Sequence, residues 1–383
     1  MSVRGGCTIA WFHLPGVHAM LLALVLAMGA ASAHETSAGE DVRLKAIIQG
    51  VREGEDLFRN LDLIYKQEAE LLVAPEKLGG NLLKKGVEDY HLIKQGELYY
   101  IHELKKHDYV NGPLETDFQM GYDGTITRSI TRQRTKDGQS KGLGNITHGR
   151  LEQGYVLEPY RLGARFTDHK FSQVLDGSFL RDPQFKNVTR RIFIEGEETV
   201  GGQDCLRLVQ IFSSQETGEV EKYIHWLAVD EHYLPARTWY YTCIGKELSV
   251  QPLTTYELDE WREIGPGVRI PYKAVKCVFR PIDGQLVQSS REIVTITKAS
   301  LSPAYDLSKF KDVPFPAGAV IYVIRNGKTV ESYIQPGDEG IPEAEFSVGR
   351  WILSATGLVV IIVGSWMAYR RGKKIRASQP ETS

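Results

Sequence analysis

The sequence predicts a mainly β protein with minor α. One large antiparallel sheet, curved into a half-barrel or folded as a sandwich, opens on an amphipathic helix and is followed by one C-terminal transmembrane helix. Three observations predict this. About a dozen apolar runs with strand-like alternation are separated by turn residues. One run near the start has helical spacing instead. One run near the end, Trp351 to Tyr369, carries no charge over 19 residues.

The two ends of the 383-residue chain read as targeting segments. Residues 1–33 have a basic Arg4, the apolar core "MLLALVLAMGAA" and the small-residue cleavage site Ala31-Ser32-Ala33, the pattern of a signal peptide. As a helix, "WILSATGLVVIIVGSWMAY" at 351–369 spans roughly 28 Å, close to the hydrocarbon thickness of a bilayer. Trp351, Trp366 and Tyr369 stand near its ends, and "RRGKKIR" follows, which the positive-inside rule places in the cytoplasm. The expected organisation is a signal peptide (1–33), an ectodomain (34–334), a polar linker containing "QPGDEGIPEAE" (335–350), a transmembrane helix (351–369) and a basic cytoplasmic tail (370–383). The expected location is the cytoplasmic (inner) membrane, single-pass, with the ectodomain in the periplasm. The formal net charge is −2, and the segment between the two basic ends is more acidic still, which argues against nucleic acid as a partner.

Within the ectodomain, "EDVRLKAIIQGVREGEDLF" puts Leu44, Ile47, Ile48 and Val51 at helical spacing. The period then changes: Leu61, Leu63, Tyr65, Gln67, Ala69 and Leu71 alternate, as in a long strand. Hairpins are expected around Gln95-Gly96, Asp123-Gly124 and Asn326-Gly327. Further strands are "TRRIFIEGEETV", "DCLRLVQIFS", "VEKYIHWLAV", "ARTWYYTC", "TTYELDEWREI", "RIPYKAVKCVF" and "SSREIVTITKA". The middle, 143–183, is Gly-rich, with short helix-like pieces in "PYRLGARF" and "KFSQVLDGSF".

The stretch "EKYIHWLAVDEHYLPARTWYYT" at 221–242 is apolar on both phases: Ile224 and Trp226 against Tyr223 and Leu227, then Trp239 and Tyr241 against Tyr240. A sheet with one wet face should be polar on one phase. Here both faces are covered, or one lines an apolar cavity. Cys205, Cys243 and Cys277 are isolated within apolar strands; a disulfide would leave at least one of them unpaired, and they read as buried small hydrophobes.

Tests for chemistry are negative. "HELKKH" sets His102 and His107 five apart in a strand-like run, whereas a metalloprotease needs two histidines four apart on a helix. His225 and His232 lack a third ligand, so no metal is expected. "GLGNITHG" at 142–149 reads as a loop without a phosphate cradle. No cofactor is expected, and the chain is not expected to be an enzyme.

The run from "FIEGEETVGGQDCLRLV" through "EKYIHWLAVDEHYLPARTWYY" to "TTYELDEWREIGPGVRIPYKAV", with the late "YDLSKFKDVPFPAG", resembles the LolA/RseB-like superfamily of periplasmic lipoprotein-carrier and sensor domains. The likeness lies in the order of features: a Gly-Gly turn into a Cys-containing strand, a strand ending at Trp226, the next opening at Leu234-Pro235, and a long strand ending near Gly265-Pro266. It implies a half-barrel of about eleven strands closed by helices over an apolar concave face. It also implies binding of acyl chains or lipidated proteins rather than catalysis. On that basis Leu206, Leu208, Trp226, Trp239, Tyr241, Tyr256 and Leu258 are candidate lining residues. The membrane anchor and the longer middle insertion depart from a soluble carrier. They favour a tethered receiver, sensor or assembly protein. The alternative is an envelope signalling or interaction protein whose half-barrel is a structural core and whose tail contacts a membrane-protein partner.

A reporter that needs an oxidising compartment is expected to be active when fused after Ala33 and inactive when fused after Arg376. Activity of the second fusion would reverse the orientation.

Overall fold

In the computed structural model, the run of helical spacing forms α1, Ser37–Leu57, which buries Ile47, Ile48 and Val51 and half-buries Leu44. The structure describes residues 37–336 except 79–81, 137, 152–157, 164–168 and 246. The signal peptide, most of the linker, the transmembrane run and the tail lie outside the described residues. Among the described residues no helix is long and apolar enough to cross a membrane.

The chain after α1 is mainly β. Five long strands come first: β1 (Asn60–Leu71), β2 (Leu83–Gln95), β3 (Leu98–Tyr109), β4 (Gly112–Tyr122) and β5 (Ile126–Thr135). The two-residue β6 (Gly138–Gln139) and β7 (Leu143–His148) follow, then the short helices α2 (Pro159–Leu162) and α3 (Phe171–Asp176). The second series comprises β8 (Val188–Val200), β9 (Gln203–Ser214), β10 (Val220–Ala228), β11 (Leu234–Ile244), the short β12 (Glu247–Leu248), β13 (Thr254–Gly265), β14 (Val268–Ile282) and β15 (Gln285–Ser300). A single helical turn, α4 (Ser308–Lys311), precedes the terminal hairpin of β16 (Val320–Arg325) and β17 (Lys328–Ile334).

These strands form one continuous sheet in the order β8-β9-β10-β11-β13-β14-β15-β1-β2-β3-β4-β5-β7-β16-β17. Every neighbour pair is antiparallel except β7 with β16. β1 is the seam, pairing with β15 on one side and β2 on the other, so it joins the two meanders. The expected turns form where placed. Asp123 Oδ1 accepts the N–H groups of Thr125 and Ile126 at 2.9 and 2.8 Å. Asn326 and Gly327 both take positive φ (50° and 71°), as a two-residue hairpin turn requires.

One expectation fails. Residues 143–148 of "GLGNITHG" are strand β7, not loop. They pair antiparallel with β5 and parallel with β16. The parallel partner lies 177 residues on, from Leu143 to Val320, so local sequence could not announce it. The cysteines also divide: all three are free, but only Cys205 is buried, while Cys243 and Cys277 are half-buried.

The sheet curls around α1. Leu206 on β9 and Met120 on β4 belong to one buried cluster, together with Ile47 and Val51 of α1. They stand nine strand spacings apart in the sheet, about 43 Å if it were flat. The cluster bridges that width through Leu258, Ile270, Val294, Leu61, Leu92 and Ile101 on the strands between them, all on the inner face of the curved sheet. On β1 the inner residues Leu61, Leu63 and Tyr65 are at most 1% exposed, as the alternation requires. Tyr233 and Tyr160 lie directly against α1 at Gly50 and Gly54: a Cβ at Gly54 would stand 1.9 Å from Tyr160 Oη.

The convex side of β1–β3 is covered by the segment that carries α4. Phe310 is fully buried with Ile93 and Tyr100, and Lys309 Nζ sits 3.9 Å from the centre of the Tyr100 ring. Tyr305 OH reaches Asp62 at 3.0 Å, a carboxylate also bound by Lys298 (2.6 Å) and His91 (2.9 Å). Burial works to raise the Asp62 carboxyl, but the hydrogen bonds from Lys298, His91 and Tyr305 outweigh it and hold the group below its ordinary value.

Gly54→Ala should raise helix propensity by about 1 kcal/mol. The clash with Tyr160 is expected to win, lowering stability by about 1–3 kcal/mol in urea unfolding of the full chain. An unchanged or raised midpoint would show that α1 does not sit this close.

Candidate functional site

The seven residues singled out from sequence do not share one surface. Leu206, Leu208 and Leu258 are buried on the concave face within the cluster under α1, and Tyr256 packs beside them. Trp226 and Tyr241 belong to a second buried cluster, with Trp239 packed against it. Alternation along β9, β10 and β11 places this cluster on the convex face. The two groups therefore cannot line one cavity.

The convex cluster explains the aromatic richness of 221–242. Trp226 and Trp239 lie on neighbouring strands with ring centres 4.9 Å apart. The Arg237 guanidinium lies over both rings, at 5.3 and 5.7 Å, and Arg207 lies over Trp226 at 5.5 Å. Trp226 Nε1 donates to Glu198 at 2.8 Å, and Arg237 Nε donates to Glu257 at 2.7 Å. Planar guanidinium groups thus roof the indoles, and Trp226 is only 2% exposed, with no helix over it among the described residues. This is a second small core on the outside of the sheet.

The concave face carries two cavities, one on each side of α3. Several bonds seat that helix. Ser172 donates from its N–H and its hydroxyl to Glu55 of α1, at 3.0 and 2.6 Å, and Arg52 of α1 pairs with Asp176 at 2.6 Å. Gln210 Nε2 of β9 donates to the Val174 carbonyl at 2.8 Å. Burial raises the Glu55 carboxyl above its ordinary value, and the Ser172 bonds only partly offset this.

The first cavity, about 410 Å³, lies between α3, the helical turns Ser178–Arg181 and Pro183–Phe185, and the concave face of β8–β10. Phe179, Phe185, Phe212, Tyr223 and His169 line it, with Val174 and Val188. The rings hold one another in place: Phe179 meets Phe185 at 5.1 Å and Phe212 at 5.5 Å, both edge-on, and Phe212 meets Tyr223 at 6.0 Å. Besides His169, its polar lining is Ser214, Glu219 and Glu221. The second cavity, about 530 Å³, has an apolar floor that includes Leu92, Tyr99, Ile101 and Phe171, under a rim of ion pairs. Glu97 holds Arg59 and Arg150 at 2.7 and 3.0 Å, and Glu158 holds Lys94 at 3.2 Å.

Both volumes fall in the range of small-molecule sites. None of the seven sequence candidates lines either one. "KFSQVLDGSF" and "VEKYIHWLAV" were visible as elements, but their juxtaposition was not. Between β10 and α3 sits His225, fully buried, stacked on Tyr223 and edge-on to Phe171 at 5.3 Å, with Nδ1 3.1 Å from Thr238 Oγ1. Desolvation holds its imidazole down to about 3. Of the rejected metal candidates, His102 faces Asp117 at 3.1 Å and His107 faces Glu88 at 2.6 Å. Among the described residues no cluster of three or more His, Cys, Asp or Glu groups could hold a metal.

The class defined by this geometry is an open, strongly curved antiparallel sheet that encloses helices and two concave cavities. No protein-family model and no curated protein matches the chain. Solved structures similar to it include a DUF1329 family protein from Desulfovibrio piger, 12% identical with a TM-score of 0.34, the match covering 70% of this chain and 96% of that one. A beta-barrel-like protein of the domain of unknown function DUF1849 from Brucella abortus is 8% identical with a TM-score of 0.24, covering 64% and 98%. A porin-like protein from Bacteroides uniformis is 9% identical with a TM-score of 0.20, covering 61% and 96%.

His225 generates a pH prediction. Its folded value lies below that of a free imidazole, about 6.5, so below that pH the unfolded chain takes up a proton that the folded chain refuses. Stability from this group is complete above about pH 6.5 and falls by about 1.4 kcal/mol per unit as the pH drops towards 3. In urea unfolding, wild type is expected to lose about 2 kcal/mol more than His225→Gln between pH 7 and pH 5. Equal losses would mean that His225 is not buried in its neutral form.

Proposed function

We propose that the chain is an exported binding protein, tethered to the cytoplasmic membrane by 351–369, whose ring-lined concave cavity holds an acyl chain of a lipid or a lipidated protein. One observation carries this reading: a cavity of about 410 Å³ walled by five rings and two valines, open on the concave side of the sheet. Each methylene buried there contributes about 0.8 kcal/mol, so six contribute about 5 kcal/mol without any polar contact. The reading is one of binding rather than catalysis because apolar groups dominate the walls. The resemblance to lipoprotein-carrier and sensor domains points the same way, although this reading takes the rings beside α3, not the indoles of the convex cluster, as the binding surface.

Native mass spectrometry of the full chain, released from detergent micelles, is expected to find about one acyl-bearing molecule per chain. Phe212→Ala should lose it and Trp239→Ala, on the convex face, should keep it. A cavity empty in well-folded wild type would sink the acyl reading and put the interaction-protein reading in front.

A further inference from the structure

The strands of the curved sheet run between two opposite rims, and exposed apolar side chains concentrate on one of them. With every neighbour pair antiparallel except β7 and β16, the strands β1, β3, β5, β9, β11, β14 and β17 all finish at this rim, and the others in the ordered sheet start there. Four consecutive connections along it carry exposed apolar residues: Ile244, Leu248 and Val250 between β11 and β13, Val287 just past the β14–β15 turn, Leu72 after β1, and Val110 between β3 and β4. Val250 is 97% exposed. The connections at the opposite rim carry Leu57, Leu151 and Val229, none above 39% exposed. Single exposed apolar residues are ordinary, whereas a row of them on neighbouring turns marks an interaction surface.

The turns are braced to their neighbours. The Leu72 N–H donates to the Ser289 carbonyl at 2.9 Å and Lys77 pairs with Asp283 at 3.0 Å, which ties the β1–β2 connection to the β14–β15 hairpin. The Phe279 N–H of β14 donates to the Leu253 carbonyl at 2.8 Å, and the Val110 N–H to the Leu82 carbonyl at 3.0 Å. The apolar tips therefore belong to one rim. The chain also departs from it: β17 finishes here at Ile334, itself exposed, and the sequence continues to the apolar run at 351–369.

We propose that this rim docks on a lipid surface, with its apolar turn tips set among the head groups of the membrane that holds the chain. This rests on the tether of the proposed function and adds an orientation of the domain to it. A bilayer interface accepts an apolar side chain wherever the two meet, so tips spread around a curved rim need no matching pockets, as they would on a protein partner. Docking would also bring the ring-walled cavity to the membrane. Of its lining, Val188 is the first residue of β8, Ser214 the last of β9, and Glu221 the second of β10, all at this rim.

The test uses dansylalanine, a fluorescent amino acid, in the full chain reconstituted into phosphatidylcholine nanodiscs with and without a doxyl-labelled phosphatidylcholine as quencher. In place of Leu72 or of Val250 it is expected to lose at least about half of its emission to the quencher, because apolar groups at an interface sit roughly 5–10 Å into the head-group boundary. In place of Val229, at the far rim, it should lose almost none. Salt at about 0.5 M should leave the quenching in place, because apolar insertion is not screened. Quenching at the Val250 position alone would reduce the contact to one loop and overturn the rim. Equal quenching at the Val229 position would overturn the orientation, and quenching abolished by salt would overturn apolar insertion. No quenching at either rim position, in a chain that co-purifies with the discs, would overturn lipid docking, leave the tether standing and give the rim to a protein partner. A folded chain that stays out of the discs would overturn both.

Discussion

The burial of Ile47, Ile48 and Val51 of α1 against Leu61, Leu63, Leu206 and Leu208 organises the rest of the molecule. The fifteen strands ordered side by side among the described residues have more apolar inner surface than one helix can cover if the sheet stays flat. Curling turns the inner faces of the strands from β9 to β4 towards one continuous buried cluster that includes α1. Gly50 and Gly54 let Tyr233 and Tyr160 approach α1, and through them the β10–β11 turn and α2. Tyr160 OH then donates to the His232 carbonyl at 2.5 Å, which ties α2 to that turn. The two cavities are what remains of the concave space beside α3 once α1 has filled its part.

Curvature also sets a different problem on the outside. Among the described residues the convex face has no helical layer over β9–β11, yet it carries Ile224, Trp226, Val209 and Cys205, each at most 3% exposed. Guanidinium groups solve it. Arg207 and Arg237 lie over the indoles, and each is held from the side by a carboxylate, Glu195 and Glu257. Over β1–β3 the chain segment that carries α4 does the same work, with Phe310 as its apolar plug and the Asp62–Tyr305 contact as its polar anchor. Apolar residues on both phases of a strand therefore arise here from two separate cores, one on each side of the sheet.

This division explains why the aromatic stretch at 221–242 misleads as a guide to a ligand. The tryptophans are the largest apolar groups in it, and they serve the outer core. The cavity takes from it Glu221 and Tyr223, on the other phase, and assembles the remaining rings from β9 and from the insertion at 169–185. Phe179 and Phe185 sit in short helical turns whose apolar content gives no sign of which face of the sheet they will meet.

Much of the fold was legible in local pattern. The helical period of Leu44, Ile47, Ile48 and Val51, the alternation from Leu61 onwards, and the turns at Asp123-Gly124 and Asn326-Gly327 are properties of a few adjacent residues, and local backbone physics decides them. The double-sided burial of β10 and β11 was legible too, because side-chain direction alternates strictly along a strand. Three features were decided only by tertiary structure. β7 became a strand because β16, far along the chain, offered it a partner. Cys243 and Cys277 stayed half-exposed because their places on the sheet are only partly covered. The seven apolar candidates divided between two faces, and the cavity formed from others, because curvature and the seating of α3 determine which rings converge. Those are contacts between distant segments, and no window of neighbouring residues contains them.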